Sequence, residues 1–302
     1  MFRKYIDRTI QRTEVSVLMS LLPSPVSELL SKQGSLFHDV CLIDQDGVHH
    51  PANKALLATH SQFFLALFSS HPEEQSLFHL NIIKRTSDNA LGLAMVLNWM
   101  EVGELELNSS NVLDVLQTAM YVADIEVVNM CENWLGSQLE PDNAIGFWIC
   151  AKELYLTKLM DQAWDCILFR STEVFKGDEF MELPQEMVSF IFGTDELTCK
   201  EEEIWMALES WVSNGDRNER MEAASQIMKR IRFGLIEAEY FRRVIRYSSI
   251  MMESIGEDIE QTLDDESKCK EESYLYRPRY PTHILFAFGG WLEGSVIDTI
   301  IM

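Results

Sequence analysis

The sequence predicts a mostly α-helical chain with one small mixed sheet: an α+β domain, then an all-α domain of helical pairs, then a short strand segment. Three observations predict it. Between Phe37 and Phe68 an alternating apolar pattern around Asp46-Gly47 gives way within a few residues to helical spacing. From Leu139 to about residue 250 only helical stripes remain. Strand character returns over residues 281–302, around Gly289-Gly290.

Residues 1–30 read as an N-terminal arm. Its opening, MFRKYIDRTIQRTEV, is mildly basic and amphipathic but lacks the apolar stretch of a secretory signal, and Asp7 and Glu14 argue against a transit peptide. The apolar set Val15, Val17, Leu18, Leu21, Leu22, Val26, Leu29 and Leu30 follows, outside the expected core.

In residues 31–138, Val40, Leu42 and, across the turn, Val48 point one way, as a half-buried hairpin requires. Asp46-Gly47 supplies the positive-φ pair of a tight turn. Pro51 cannot donate to a ladder, so the strand is expected to stop there, and Ala52, Ala55, Leu56 and Thr59 then share a helical face. Ser61 caps a second short helix with Phe64, Leu67 and Phe68 at i, i+3, i+4. Leu77, Leu80 and Ile82 outline a further strand. Ala90 to Trp99, with Leu91, Ala94, Met95 and Leu97, reads as a helix stopped by Gly103, and Glu104–Leu107 alternates as a short exposed strand. Asn108 to Ser110 offer caps for a helix carrying Val112, Val115, Leu116, Ala119, Val122 and Ala123. Val127, Val128, Cys131, Trp134 and Leu135 mark the next.

In residues 139–250, Pro141 and Asp142 start a helix with Ala144, Phe147, Trp148, Ala151 and Leu154 on one side, and Leu159, Ala163, Cys166 and Ile167 make its partner. Leu183-Pro184 punctuates before a helix that reaches about Phe192. Ile204, Ala207, Leu208, Trp211 and Val212 form a stripe at i, i+3, i+4, i+7, i+8. Asn214-Gly215-Asp216 closes it, and Arg220 to Arg230 is the next helix. Stacked antiparallel pairs are expected. Residues 251–280 read as an acidic linker, dense in like charge from Met252 to Glu272. Beyond it, the run Ile284 to Phe288 is expected to find no sheet to join.

These residues also carry a resemblance. Phe37-x-Asp39-Val40, Gly47, Ala52-x-Lys54-Ala55-x-Leu57-Ala58 and Ser61-x-Phe63-Phe64 resemble the opening of a BTB (POZ) domain. Gly103-x-Leu105, Asn111-Val112-x-x-Val115-Leu116-x-x-Ala119 and Val128-x-x-Cys131 continue it. Two positions depart: the family's usual Phe after the hairpin is His50, and its usual His before the Lys is Asn53. Leu139-x-Pro141-x-Asn143, Ala151, Ala163, Leu183-Pro184, Trp211-Val212 and Ile231-Arg232-Phe233-x-Leu235 resemble the BACK domain of BTB-kelch proteins, with Gly234 where that family often has Pro. Pro281 to Trp291, with Gly294-Ser295, is similar to the first strands of a kelch repeat. A kelch blade takes about 50 residues and an array at least three repeats, so a propeller is not expected from residues 281–302.

The resemblance covers about residues 30–302 and implies a non-enzymatic adaptor. Such a protein forms a homodimer, binds cullin-3 through BTB-BACK, and brings a protein substrate held by a kelch propeller in a full-length form to a RING ubiquitin ligase. Asp39 and Lys54 match the family's charged pair near the dimer interface, joined there by Leu18 and Leu21 of the arm; an ordinary structural ion pair is the alternative. The family's cullin motif, a hydrophobic residue followed two later by Glu, maps onto Pro72-x-Glu74. Phe68 on the preceding helix and Glu101, where the family has Tyr, belong to the same face. Proline fills less of an apolar pocket than Met or Leu, Glu101 removes a contact, and Phe68 reads as core before contact. The second reading is a cytoskeletal or scaffolding BTB-kelch protein without ligase association. A corepressor-binding role is disfavoured because no zinc fingers or basic stripe follow. The expected location is cytoplasmic, with nuclear or cytoskeletal placement as alternatives.

Composition narrows the classes. A formal charge of −23 over 302 residues disfavours nucleic acid and anionic membrane surfaces, both polyanionic. No apolar run reaches the length of a transmembrane helix. The six cysteines have no metal-like or redox-motif spacing, which suits a reducing compartment and leaves the sequon at Asn108 unused. No nucleotide, hydrolase or zinc-protease motif is found, and no cofactor is expected. Asp44-x-Asp46-Gly47 faintly echoes a calcium loop, but Leu42 and Asn53 would occupy its end positions. His49 and His50 are adjacent, hence on opposite strand faces, and cannot chelate together. Cys269, flanked by Lys268 and Lys270, has a redox reading that the surrounding acids oppose.

Overall fold

The computed structural model describes residues 17–20, 36–44, 47–70, 76–80, 91–253, 274–279, 287–292 and 295–301. The chain divides into two compact units, one of Met1–Leu139 with Ile149–Asp161 and the other of Glu140–Trp148 with Gln162–Met302.

The N-terminal unit contains β1 (Val17–Ser20), β2 (Val40–Ile43), β3 (His49–Ala52), α1 (Lys54–His60), α2 (Gln62–Ser69), β4 (Leu77–His79), α3 (Leu91–Val102), β5 (Glu104–Leu107), α4 (Val112–Tyr121) and α5 (Ile125–Ser137). The small sheet is mixed, in the order β3-β2-β4, with β3 antiparallel and β4 parallel to β2. Val40, Leu42 and Ala52 are buried, while Val48, at the hairpin end, is exposed. Pro51 does not end the strand. Asp44 N–H donates to Val48 O, so by alternation Pro51, opposite Cys41, is an outward-facing position of an edge strand, where a missing N–H costs nothing.

Because β3 takes Ala52, the phase of α1 is set by its cap Asn53. Leu57 then turns inward, and Ala55 and Thr59 are exposed, against the expected face. Ser61 caps α2 as expected, its Oγ accepting Phe64 N–H at 3.1 Å, and Phe64 is buried. In β4 the inward residue is Phe78; Leu77 is exposed, and Ile82 lies outside the described residues. α3 buries Leu93, Val96, Leu97, Trp99 and Met100 and exposes Ala94. A helix this apolar has no legible stripe. Gly103, at φ +80°, ends it. α4 buries Val112, Val115, Leu116 and Ala119, but Ala123 has left the helix, left-handed at φ 54° and exposed. α5 starts at Asp124, whose Oδ1 accepts the Glu126 and Val127 N–H groups. Glu132 on α5 is buried, with Oε1 accepting Leu159 N–H at 2.9 Å.

The remaining α-helices among the described residues are α6 (Ala144–Leu154), α7 (Thr157–Phe169), α8 (Ser171–Val174), α9 (Asp178–Met181), α10 (Gln185–Gly193), α11 (Glu201–Ser213), α12 (Arg217–Ile227), α13 (Ala238–Arg243) and α14 (Ser249–Glu253). α6 begins after Asn143, whose Oδ1 accepts Glu140 N–H at 2.7 Å, so Pro141 and Asp142 form the turn before the helix rather than its start. All five stripe residues of α11 are buried, and Trp205 with them. Each large side chain so buried contributes about 1.5–3 kcal/mol. Trp211 Nε1 donates to Leu183 O at 2.9 Å, and the Arg220 guanidinium lies 4.4 Å from the Trp211 ring centroid. α12 starts three residues before Arg220 because Asp216 caps it, accepting the Asn218 and Glu219 N–H groups.

Residues 274–279, placed by sequence in the acidic linker, pack against this helical unit. Tyr274 OH donates to Arg230 O at 3.1 Å, and the Arg279 side chain is 5% exposed beside Glu201. β6 (Ala287–Leu292) and β7 (Ser295–Ile301) form an antiparallel pair, so Phe288 has a ladder partner, Ile300, contrary to the unpaired strand expected; residues 284–286 lie outside the described residues. Among the described residues no helix is long and apolar enough to cross a membrane.

Candidate partner-binding faces

The N-terminus of α1 gathers three of the residues singled out by sequence. Its first N–H groups have no partner within the helix, and three side chains, from before β2, from the cap itself and from α3, supply acceptors at or beside them. Asp39 Oδ1 accepts Lys54 N–H at 2.8 Å, Asn53 Oδ1 accepts Leu56 N–H at 3.1 Å, and Glu101 Oε1 accepts Asn53 N–H at 2.9 Å. Glu101 Oε2 also lies 3.5 Å from His38 Nε2, and the Glu101 side chain is only 13% exposed. One oxygen of Glu101 is thus hydrogen-bonded within the unit and the other lies near His38, so that Glu101 positions α1. Asn53 and His38 were not picked out as site residues. The signal for Asn53 was present, since asparagine just before a helical run is a preferred N-cap.

The Lys54 ammonium lies 6.0 Å from the centroids of both the Phe68 and Phe78 rings, over an aromatic cluster. Phe68 is half-buried, stacked on Phe64 at 5.7 Å and edge-on to Phe78 at 5.4 Å. Phe63 meets Tyr121 at 5.3 Å, and Ser61 Oγ donates to Val122 O, tying α2 to the end of α4. Pro72 and Glu74 lie outside the described residues.

The second face is the β1–β5 ribbon. β1 runs antiparallel to β5, with Val17 opposite Leu107 and Ser20 opposite Glu104. β5 is not the exposed strand expected: Leu105 is 2% and Leu107 0% exposed. Alternation still leaves an outer side, and Leu18, opposite Glu106, is 67% exposed there. Leu21 lies outside the described residues.

The two departures at His50 and Asn53 have local explanations. His50 is buried on β3, its Nε2 3.2 Å from Asp44 Oδ2, while Asp44 Oδ1 accepts Val48 N–H at 2.9 Å. Where a phenylalanine would fill space, a paired imidazole fills it and locks the hairpin. His49 points to the opposite side, its Nδ1 3.4 Å from Cys41 Sγ.

Electrostatics add one strained group. Burial pushes the Asp124 carboxyl above its ordinary range, against the pull of its two N–H donors and of His60, and its Oδ2 has no hydrogen-bond partner. Burial likewise raises the thiols of Cys131 and Cys166, and pushes Cys199 up to about 11. Cys269 lies outside the described residues. Among the described residues no three His, Cys, Asp or Glu side chains gather as a metal site.

Comparison with known proteins matches two successive domains to family models. Residues 28–139 match the model of the BTB/POZ domain, and residues 144–246 match that of BACK, "BTB And C-terminal Kelch". Kelch-like protein 34 of Homo sapiens is 27% identical over 217 residues, 70% of this chain and 33% of that protein. Kelch-like protein 3 of Danio rerio is 28% identical over 222 residues, 73% of this chain and 36% of its own length. Kelch-like protein 9 of Mus musculus is 29% identical over 203 residues, 67% and 32%. The chain spans about a third of the length of the curated relatives it matches.

Proposed function

We propose, because the chain belongs to the BTB–BACK family of kelch-like proteins, that it is a non-enzymatic adaptor of a cullin-3 RING ubiquitin ligase. In this reading the N-terminal unit dimerises and offers α1, α2 and the segment after them to cullin-3. A protein substrate is held by kelch repeats of a longer form, and the assembly works in the cytoplasm. The observation that carries it is the BTB match over residues 28–139 followed by the BACK match over 144–246, since that pairing is what the kelch-like relatives share with this chain. The geometry supports it at one point. α1 is held by three side chains from outside the helix, giving a partner a preformed helical hairpin at little ordering cost.

Copurification of cullin-3 with the full chain tests the ligase half. Glu74→Lys should weaken that binding by about 2–5 kcal/mol if its carboxylate is paired across the interface, and Pro72→Met should tighten it. Unchanged affinity in both variants removes the mapping onto Pro72-x-Glu74. Wild-type chain that captures no cullin-3 removes the ligase reading. For the dimer, sedimentation should show the chain as a dimer at about 10 μM, an affinity range typical of modest interfaces. Leu18→Asp, on the outer side of β1, should shift it to monomer. Wild-type monomer at that concentration sinks this half.

A scaffold without ligase association is the second reading, and one observation favours it. Glu101, where the family carries a tyrosine, accepts Asn53 N–H inside the unit and, at 13% exposed, presents little surface to a partner. Dimerisation without cullin-3 capture is its signature.

A further inference from the structure

The segment that follows the acidic run ends in Arg277-Pro278-Arg279, and the last of these arginines is held unlike any other among the described residues. Its side chain is 5% exposed, and every N–H of its guanidinium has an acceptor. Nε donates to Glu201 Oε1 at 2.6 Å, and one Nη2 hydrogen to Glu201 Oε2 at 3.1 Å, a forked pair with the carboxylate. The other Nη2 hydrogen reaches Arg230 O at 3.3 Å, and Nη1 divides between Phe192 O at 2.9 Å and Thr194 O. Glu201 is equally buried at 5%, at the first position of α11, and its Oε2 also accepts Arg232 N–H at 3.0 Å.

Five donors meet five acceptor contacts in the planar arrangement that only a guanidinium presents; an ammonium offers three donors on a tetrahedron. The ground beneath the preceding residues is also shaped. A Cβ on Gly234 would come within 2.5 Å of the Tyr276 ring, so the glycine makes room for that ring. Tyr274 lies over the buried Arg232 guanidinium at 5.2 Å, and Arg232 Nη1 donates to Arg277 O at 2.9 Å. Asp195 accepts from both Arg232 and Arg277.

We infer that the helical unit carries an arginine-specific docking socket, built by Glu201 and the carbonyls of Phe192, Thr194 and Arg230. Its ligand is a peptide segment of the form Tyr-x-Tyr-Arg-Pro-Arg, supplied in cis by residues 274–279. The socket pins residues 274–279 to the helical unit. An opening of about 290 Å³, lined by Leu197, Thr198, Cys199 and Leu235 beside Glu201 and Arg279, gives small solutes a way in.

The test uses the full chain and chemical rescue. In Arg279→Ala, amide exchange over residues 274–279 should speed up by about tenfold or more. Millimolar methylguanidinium should then raise the melting temperature of Arg279→Ala. Methylammonium should not, and neither should methylguanidinium added to wild type, whose socket is filled, or to Arg279→Ala/Glu201→Gln. Arg279→Lys keeps the charge and should exchange like the alanine variant. The inference is overturned if the lysine chain is protected like wild type, or if the two cations act alike on Arg279→Ala. Should Arg279→Ala not fold, the exchange of Arg279→Lys alone decides between socket and simple charge.

Discussion

Removing the carboxylate of Glu101 should loosen the start of α1 by a calculable amount. Two interactions are lost in Glu101→Ala. The Asn53 N–H bond at 2.9 Å is made to a charged acceptor 13% exposed, a class contributing about 1.5–3 kcal/mol. The contact with His38 at 3.5 Å involves a partner 20% exposed and adds about 0–1 kcal/mol. We therefore expect about 2 kcal/mol in total. Glu101→Gln keeps an acceptor of the same length and should lose about 1 kcal/mol or less. Because the chain has two units, a single melting curve does not isolate the change. Hydrogen exchange at the Leu56, Leu57 and Ala58 amides does. Two kcal/mol corresponds to roughly 30-fold faster exchange in Glu101→Ala if α1 opens locally, with a much smaller change in Glu101→Gln. On the proposed cullin-3 reading, affinity for cullin-3 should follow the same order if Glu101 acts through α1 rather than by contact. Alanine exchange equal to wild type would show that Asp39 and Asn53 hold α1 unaided. A glutamine variant losing partner affinity with normal exchange would return Glu101 to the interface.

Two further outcomes are expected. The Asp124 carboxyl is raised by burial, so between its unfolded and folded pKa values the folded chain binds more protons, and stability falls as pH rises through that window. Asp124→Asn should abolish that fall while keeping the cap of α5, whereas Asp124→Ala should cost about 1 kcal/mol at neutral pH. Urea unfolding from pH 3.5 to 7 checks both signs, and a pH-independent wild type contradicts them. Gly234→Ala should displace the Tyr276 ring, costing about 1–3 kcal/mol if the ring stays and unseating residues 274–279 if it leaves. Exchange over that segment separates the two outcomes, and wild-type exchange together with wild-type stability would refute the close fit.

What the sequence discloses depends on how local the determining interactions are. Ser61 as the cap of α2 and the stripe of α11 were legible because cap and stripe are decided within a dozen residues of chain. The phase of α1 was not, because Pro51 reads as a strand breaker until β3 is known to be an edge strand with Pro51 facing outward. Glu104–Leu107 shows its alternation openly, yet its pairing partner is β1, more than eighty residues earlier. Glu101 was chosen by matching a family position, and only geometry reveals Asn53 and His38 as its partners, 48 residues away in one case. Arg279 is the extreme. Composition places it at the end of an acidic linker, where an arginine should be solvated. Its acceptors come from the end of α10, the first residue of α11 and the turn after α12, 49 to 87 residues distant. A buried guanidinium is stable only when all of those converge, and convergence is a property of the folded helices that no spacing within residues 251–280 can display.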